Sequence, residues 1–394
     1  MAIATALVAA RCTPADTQSL LKLCRPVFLF ASIPAFWMII QMLPLGYVGL
    51  ANPIWESVQS ILGQRIVGSI GIDTGSELLV LCQYLSVLAI LFVTAAITLD
   101  RKKADGVLSS LLVATILLCL PIAGLPVWLR GPIVQLAGMH PVETVAAIGV
   151  LVAAAAIVRA FERWQSLRGA SNSRLVLSLA MSVVGFAICG SAIFLHWTNN
   201  LAFGLALAMT VFSAVMVIRY FRIGFWGGSA IATTILTACI VFVWIQFGNG
   251  VFDPMLAFSD DGSLVDLTKL MLSDATWTGS GAGSFEVLSN VYMESGAALT
   301  GAKAATAVAK IAIELGRPMV WTITLMLLLT IAYLLRGALR RGRDAFYPAL
   351  GASSLIAIVI FGFGSTGILA PAALIIAAST LGLALAQSSG RTIP

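Results

Sequence analysis

Long apolar runs, separated by short polar links, make up most of this 394-residue chain. Each run is close to the about 20 residues that a helix needs to cross about 30 Å of hydrocarbon. A helix also satisfies its own backbone amides in lipid. The pattern predicts an all-α, polytopic membrane helix bundle of about ten spans, at 26–45, 77–99, 106–129, 142–159, 174–195, 201–219, 226–247, 318–335, 347–364 and 367–387.

One polar window, residues 248–317, interrupts this pattern. We expect two or three short helices inside it, including an amphipathic helix over Thr300–Leu315, because apolar residues recur there at helical spacing. The window divides the chain into three parts: an N-terminal set of about seven spans (1–247), a large loop (248–317) and a C-terminal set of about three spans (318–394).

Composition supports the membrane assignment and restricts the chemistry. Hydrophobic residues make up 59% of the chain and charged residues 10%, whereas a soluble domain carries about a quarter charged residues. The six cysteines include no CxxC motif, and the only two histidines are His140 and His196. We therefore expect neither a disulfide framework nor a metal site.

The distribution of lysine and arginine predicts the orientation. If the N-terminus is cytoplasmic, 17 of the 23 basic residues fall in inner segments, as the positive-inside rule requires. Both termini then lie inside and the polar window lies outside. The net charge of +6 follows from this asymmetry and does not indicate nucleic-acid binding. The outer basic residues are Arg65, Arg130, Lys269, Lys303, Lys310 and Arg317.

The sharpest local motif is the glycine loop, in which Gly279, Gly281 and Gly283 alternate with small residues. Alternating glycines let several backbone amides point at one anion, or let the chain pass close to a ligand. The alternative is a flexible turn between two surface helices. The motif is not a GxGxxG in a βαβ unit, so it does not predict dinucleotide binding.

The outer cations and one carboxylate are the other candidates for chemistry. Arg65, Arg130 and Arg317 lie in different outer segments, where they could converge on a phosphate group, and Lys269 lies in the same polar window as Arg317. The alternative for the arginines is snorkelling at the membrane edge. Glu314 lies three residues before Arg317, which predicts that both share a helical face. Glu314 is then either a general base or half of a surface ion pair.

Three stretches resemble the O-antigen ligase and O-antigen polymerase superfamily of bacterial inner-membrane proteins. The first outer loop is similar to the family's Pro-x-Trp segment and the turn that follows it. The glycine loop is similar to a Gly-x-Gly-x-Gly-x-Phe motif, and the return to the membrane is similar to a Glu-x-Gly motif. The matching residues are Asn52-Pro53-Ile54-Trp55 with Gly68-Ser69-Ile70-Gly71-Ile72-Asp73, Trp277 to Phe285, and Ile313-Glu314-Leu315-Gly316-Arg317-Pro318.

The resemblance implies a glycosyltransferase that needs no metal or other cofactor. It would transfer a glycan from undecaprenyl diphosphate to an acceptor glycan on the periplasmic face of the inner membrane. Arg65, Arg130, Lys269 and Arg317 would bind the diphosphate, and Glu314 would be the base. Its partners would be the lipid-linked glycan, membrane lipid and other polysaccharide-assembly proteins.

This chain also departs from the family pattern. The polar window lacks the histidine of the ligases, and residues 196–200 lack the arginine that many members carry at an outer helix start. These departures favour a polymerase over a lipid A-core ligase. Two alternatives stay open: a divergent, non-catalytic member, and a transporter or flippase for polysaccharide intermediates. A transporter predicts ionisable groups within the spans, whereas candidates such as Glu143 and Arg159 lie at span ends.

Overall fold

The structure is a computed structural model, and it describes residues 14–44, 49, 51–64, 67–124, 140–166, 173–195, 198–221, 255–256, 262–292, 304–340 and 344–388. The regular structure in these ranges is helical, with thirteen α-helices. They are α1 (Pro14–Met42), α2 (Ile54–Leu62), α3 (Thr74–Ile97), α4 (Arg101–Gly124), α5 (His140–Ser166), α6 (Ser173–Leu195), α7 (Asn199–Tyr220), α8 (Gly262–Asp274), α9 (Phe285–Tyr292), α10 (Ala307–Leu315), α11 (Arg317–Arg340), α12 (Phe346–Gly364) and α13 (Pro371–Ser388). A 3₁₀ turn, Gly367–Leu369, precedes the last helix.

Eight of these helices are long and apolar enough to cross a membrane, which confirms the predicted helical fold in the described residues and fits a multi-pass membrane protein. They are α3 to α7 and α11 to α13, and they match eight of the ten predicted runs. The run at 26–45 forms the second half of α1, where the apolar part, Val27–Met42, is shorter. The run at 226–247 lies outside the described residues.

Two alanine- and glycine-rich helices form the centre of the bundle. The apolar window is 78% buried in α5 and 72% buried in α12, against 22% in α3 and in α11. Small side chains allow this because they let helix backbones approach closely in a membrane. A Cβ on Gly351 of α12, for example, would lie 2.2 Å from Cβ of Ala384 in α13. The less buried helices surround these two.

A polar cluster ties α4, α5 and α12 together at the end of the bundle that is predicted to be cytoplasmic. Asp105 of α4 accepts a hydrogen bond from the Tyr347 hydroxyl at 2.8 Å, and it forms ion pairs with Arg159, at 3.5 Å, and Arg163. Arg159 is buried, and its Nη2 donates to Ser109 Oγ at 3.2 Å. A buried arginine is stable here because a carboxylate and hydroxyl groups compensate its charge.

The polar window folds back onto the membrane helices. Its described part contains three short helices, α8 to α10, which confirms the expected two or three. These helices share a small core that includes Met271, Leu272, Phe285 and Ile313. Ala282 and Leu315 pack in turn against α1 and α3, beside Met38 and Leu81.

One predicted boundary in the window is wrong. The amphipathic helix was expected from Thr300, but α10 begins only at Ala307. Thr306 is the reason, because its backbone is extended and its Oγ1 accepts a hydrogen bond from the Ala309 amide at 3.0 Å. The same hydroxyl donates to the carbonyl of Met255 at 2.7 Å. A buried side-chain cap of this kind fixes where the helix starts.

Candidate functional site at the glycine loop

Three segments that are far apart in the sequence meet at the glycine loop. The Ile72 amide donates to the carbonyl of Ser280 at 3.1 Å, which joins the first outer loop to the glycine loop. The Ser280 amide donates to the main-chain carbonyl of Ile313 at 2.9 Å, and the Gly281 amide donates to the main-chain carbonyl of Glu314 at 2.9 Å. These bonds join the glycine loop to the end of α10. We call this meeting point, together with Gln41 and Glu77, the glycine junction.

The glycine loop is packed too closely to be a flexible turn. Gly279, Gly281 and Gly283 have φ angles of +81°, +99° and +81°, a region that side-chain-bearing residues rarely adopt. A Cβ on Gly279 would lie 2.3 Å from the carbonyl oxygen of Glu314. A Cβ on Gly281 would lie 1.9 Å from Oε1 of Glu77. The alternative of an open surface turn is therefore wrong.

The loop directs backbone amides at a carboxyl group of the protein itself, that of Glu314, and not at an external anion. The amides of Gly283 and Phe285 donate to the carboxylate of Glu314, the latter at 3.4 Å. The amides of Ser280 and Gly281 are already bound to main-chain carbonyls. These four amides therefore hold the end of α10 and are not free for an external phosphate.

Glu314, the predicted base, is buried at the centre of the junction. Burial raises its pKa, and Lys310, whose Nζ lies 3.8 Å from Oε1, offsets part of that increase. The Gly283 and Phe285 amides also lower it, and the nearby charge of Glu286 raises it. The Lys310 pair is an i,i+4 pair on α10, with Lys310 N-terminal to Glu314.

Arg317 does not share a face with Glu314, so that expectation is wrong. Gly316 lies between them at φ +91° and ends α10, and Arg317 begins the next helix, α11. The Arg317 Nη2 atom donates to the carbonyl of Leu272 at 3.0 Å, and its Nε is buried without a partner. Among the described residues, no carboxylate forms an ion pair with Arg317. Its charge is therefore not neutralised there.

The other predicted cations divide into two groups. Lys269 is exposed on α8, one turn before Leu272, the residue that accepts from Arg317. Arg65 and Arg130 lie outside the described residues. The structure thus brings together the three glycines, Glu314 and Arg317, with Lys269 on the helix that Arg317 contacts.

Two junction residues were missed by the sequence reasoning. Gln41 is buried in α1, and its Nε2 donates to the carbonyls of Thr278 at 2.9 Å and Glu314 at 3.1 Å. Glu77 is buried in the first turn of α3. The sequence did contain a signal for each residue. Gln41 is a polar residue inside an apolar run, and Glu77 is an acidic residue at the start of an apolar run. In a membrane protein such residues are candidates for function.

The start of α3 is fixed by Asp73, a residue of the first resembling stretch. Its Oδ1 accepts from the Gly75 and Ser76 amides at 2.9 Å and 3.3 Å, and its Oδ2 accepts from Ser76 Oγ at 2.6 Å. The bond from the Ser76 hydroxyl is the largest cause of a lowered pKa for Asp73. This N-cap holds the neighbouring backbone against the glycine loop.

No protein-family model, curated protein or solved structure matches this chain.

Proposed function

We propose that the protein is a membrane-embedded glycosyltransferase. It moves a glycan from undecaprenyl diphosphate to an acceptor glycan on the outer side of a bacterial inner membrane, and it acts as a polymerase. The supporting observation is that the three stretches that carry the family resemblance are hydrogen-bonded to one another. They come from distant parts of the chain, so a resemblance by chance in separate loops would not predict this contact.

Arg317 is the principal diphosphate ligand in this proposal. It stands at the start of a spanning helix, it is half-buried, and its charge has no carboxylate partner in the described part of the chain. An arginine can contact two phosphate oxygens at once through its planar guanidinium group. Lys269, on the adjoining helix, supplies a second positive charge, and Arg65 and Arg130 are the remaining proposed ligands.

Glu314 is the proposed base. A raised pKa suits this role, because a base works best when its pKa is near the working pH. Its bond from the Phe285 amide, at 3.4 Å, is longer than a normal N–H···O hydrogen bond and is therefore the contact most easily replaced. An acceptor hydroxyl takes the place of that amide in the proposed reaction.

The test is a matched pair of arginine variants in cells that depend on this chain for their polymer. Arg317→Ala should abolish polymer while the protein level in the membrane stays unchanged. Arg336→Ala, at the opposite end of the same helix and exposed, should leave polymer amount and length unchanged. Normal polymer in the Arg317→Ala strain would overturn the assignment.

Transport of a lipid-linked intermediate is the second candidate, and a specific observation favours it. Glu77 is a buried ionisable residue in the first turn of a spanning helix, so the observation favours a polar path at that end of the span. Vesicles containing the purified protein and undecaprenyl-diphosphate-linked repeat units separate the two functions. Chain growth supports the transferase, whereas movement of intact repeat units across the bilayer supports the transporter.

A further inference from the structure

Two buried side chains of the glycine junction have oxygens without a hydrogen-bond donor. Glu77 is fully buried, and neither of its carboxylate oxygens has a hydrogen-bond partner among the described residues. Gln41 is also fully buried, and its Oε1 has no partner. Buried polar atoms are almost always paired in folded proteins. Three unpaired acceptors on two packed helices therefore call for a specific explanation.

Two glycines place Glu77 and Gln41 in the same junction. A Cβ on Gly71 would lie 1.7 Å from Oε1 of Glu77, and a Cβ on Gly281 would lie 1.9 Å from that atom. The Gly71 amide donates to the main-chain oxygen of Gln41 at 3.2 Å. The Gly281 amide donates to the carbonyl of Glu314, which also accepts from Nε2 of Gln41 at 3.1 Å. Gly71 thus contacts the Glu77 carboxylate and the Gln41 main chain, and Gly281 contacts the same carboxylate and shares a carbonyl acceptor with the Gln41 side chain.

The hydrogen bonds of Gln41 fix the direction of its amide group. Nε2 donates to two carbonyl oxygens, those of Thr278 and Glu314, and Oε1 could not replace it there because it has no hydrogen to donate. Oε1 is thus held as an acceptor on the other side of the amide. The junction offers it no donor.

The described part of the junction contains no cationic side chain for Glu77. Lys310 forms its ion pair with Glu314, and Arg317 donates to Leu272. Asp73, the nearest acid along the chain, adds negative charge and uses its own oxygens to cap α3. A buried carboxylate without a compensating positive charge is strongly unfavourable. The set of acceptors therefore requires a positive charge from outside the side chains.

The ligand set also restricts the kind of charge. Hard cations are bound by oxygen atoms, and the unpaired acceptors here are two carboxylate oxygens and one amide oxygen. Among the described residues, no cluster of three or more His, Cys, Asp or Glu side chains could hold a metal ion. One carboxylate matches one unit of positive charge.

We propose that Glu77 and Gln41 form a binding site for a single monovalent cation. The cation is either a proton, carried by Glu77 and donated to Oε1 of Gln41, or a Na⁺ ion held by the same oxygens. Either occupant satisfies the unpaired acceptors and lets α1 and α3 close against the glycine loop. This proposal is independent of the proposed transferase activity.

The test uses the purified full-length protein in detergent micelles, without any glycan. The Na⁺ arm measures the melting temperature in NaCl against choline chloride at equal ionic strength. The proton arm measures the infrared C=O stretching band of a protonated carboxylic acid, which a carboxylate lacks. Both arms compare the wild type with two junction variants, Glu77→Gln and Gln41→Met. The second variant retains Glu77, so it still tests the site if Glu77→Gln fails to fold. Glu314→Gln is the control for the other buried acid.

Two results support the site, and the others overturn it. A melting temperature that rises with Na⁺ until it saturates, with the rise lost in both junction variants, identifies a Na⁺ site. An acid band that persists in Glu314→Gln, disappears in Glu77→Gln and changes frequency in Gln41→Met identifies the shared proton. The proposal fails if neither signal occurs in the wild type, or if the signals that occur survive in both junction variants.

Discussion

A single added methyl group tests whether the glycine junction is packed as described. In Gly279→Ala, the new Cβ would lie 2.3 Å from the carbonyl oxygen of Glu314 and 2.6 Å from the amide nitrogen of Gly316. Both atoms belong to the backbone, so no side-chain rotation can relieve the contact. The residue would also have to keep a φ of +81°, which disfavours any side chain.

The expected cost has two parts. Holding a residue with a side chain in the left-handed region costs about 1–2 kcal/mol. Overpacking in a rigid environment adds about 1–3 kcal/mol. We therefore expect Gly279→Ala to lower the free energy of unfolding by about 2–5 kcal/mol. Gly63→Ala is the matched control, because Gly63 has a φ of +61° but no atom within 4 Å of its Cβ position. The control should show only the first part.

The two variants can be compared by equilibrium unfolding in detergent micelles with tryptophan fluorescence. Trp37 is a suitable reporter, because its indole Nε1 donates to the carbonyl of Leu315 at 2.9 Å, at the end of α10 that the glycine loop contacts. The excess cost of Gly279→Ala over Gly63→Ala measures the close approach between the loop and α10. Equal costs in the two variants would refute the packing argument.

Three further predictions concern other parts of the molecule. Asp105→Asn should lower the free energy of unfolding by about 3–5 kcal/mol, because it leaves buried Arg159 without its carboxylate. Arg101→Ala is the control in the same unfolding assay. It removes the ion pair of an exposed arginine and should cost about 0–1 kcal/mol. The raised pKa of Glu314 means that the stability it contributes is complete below its ordinary value of 4.5 and is lost as the pH rises through the raised value. Glu314→Gln should flatten that part of the pH–stability curve. The predicted orientation can be tested by cysteine labelling in a cysteine-free background. Lys269→Cys should react with an impermeant maleimide on intact cells, and Arg101→Cys should react only after lysis. The reverse pattern would show that the predicted orientation is wrong.

The spans could be predicted because their signal is local. A run of apolar residues near membrane thickness is sufficient to indicate a helix, and eight of the nine runs that lie wholly or largely within the described residues became helices of spanning length. The boundary at Ala307 could not be placed in the same way. Thr306 caps α10 partly because its hydroxyl is held by the carbonyl of Met255, 51 residues earlier in the chain. That contact is not encoded in the local pattern.

The glycine loop shows a similar limit. Alternating glycines indicated an anion site or a close approach to a ligand, with a flexible turn as the alternative, and neither interpretation included a close approach to the rest of the protein. The structure gives the protein as the partner, through Glu77 and Glu314. Gln41 was missed because a lone glutamine in an apolar run does not show which distant residues it will contact. Its bond to Glu314 spans 273 residues.

The position of Gly316 explains why the two most chemically suggestive residues have different environments. Without the break at φ +91°, a continuous helix would place Glu314 and Arg317 on one face and let their charges neutralise each other. The break instead directs Glu314 into the glycine loop, where Lys310 and two amides compensate it. Arg317 begins the next helix with no described carboxylate at its side. Because of that separation, Arg317 keeps a charge without a described carboxylate partner, which the proposed diphosphate site requires.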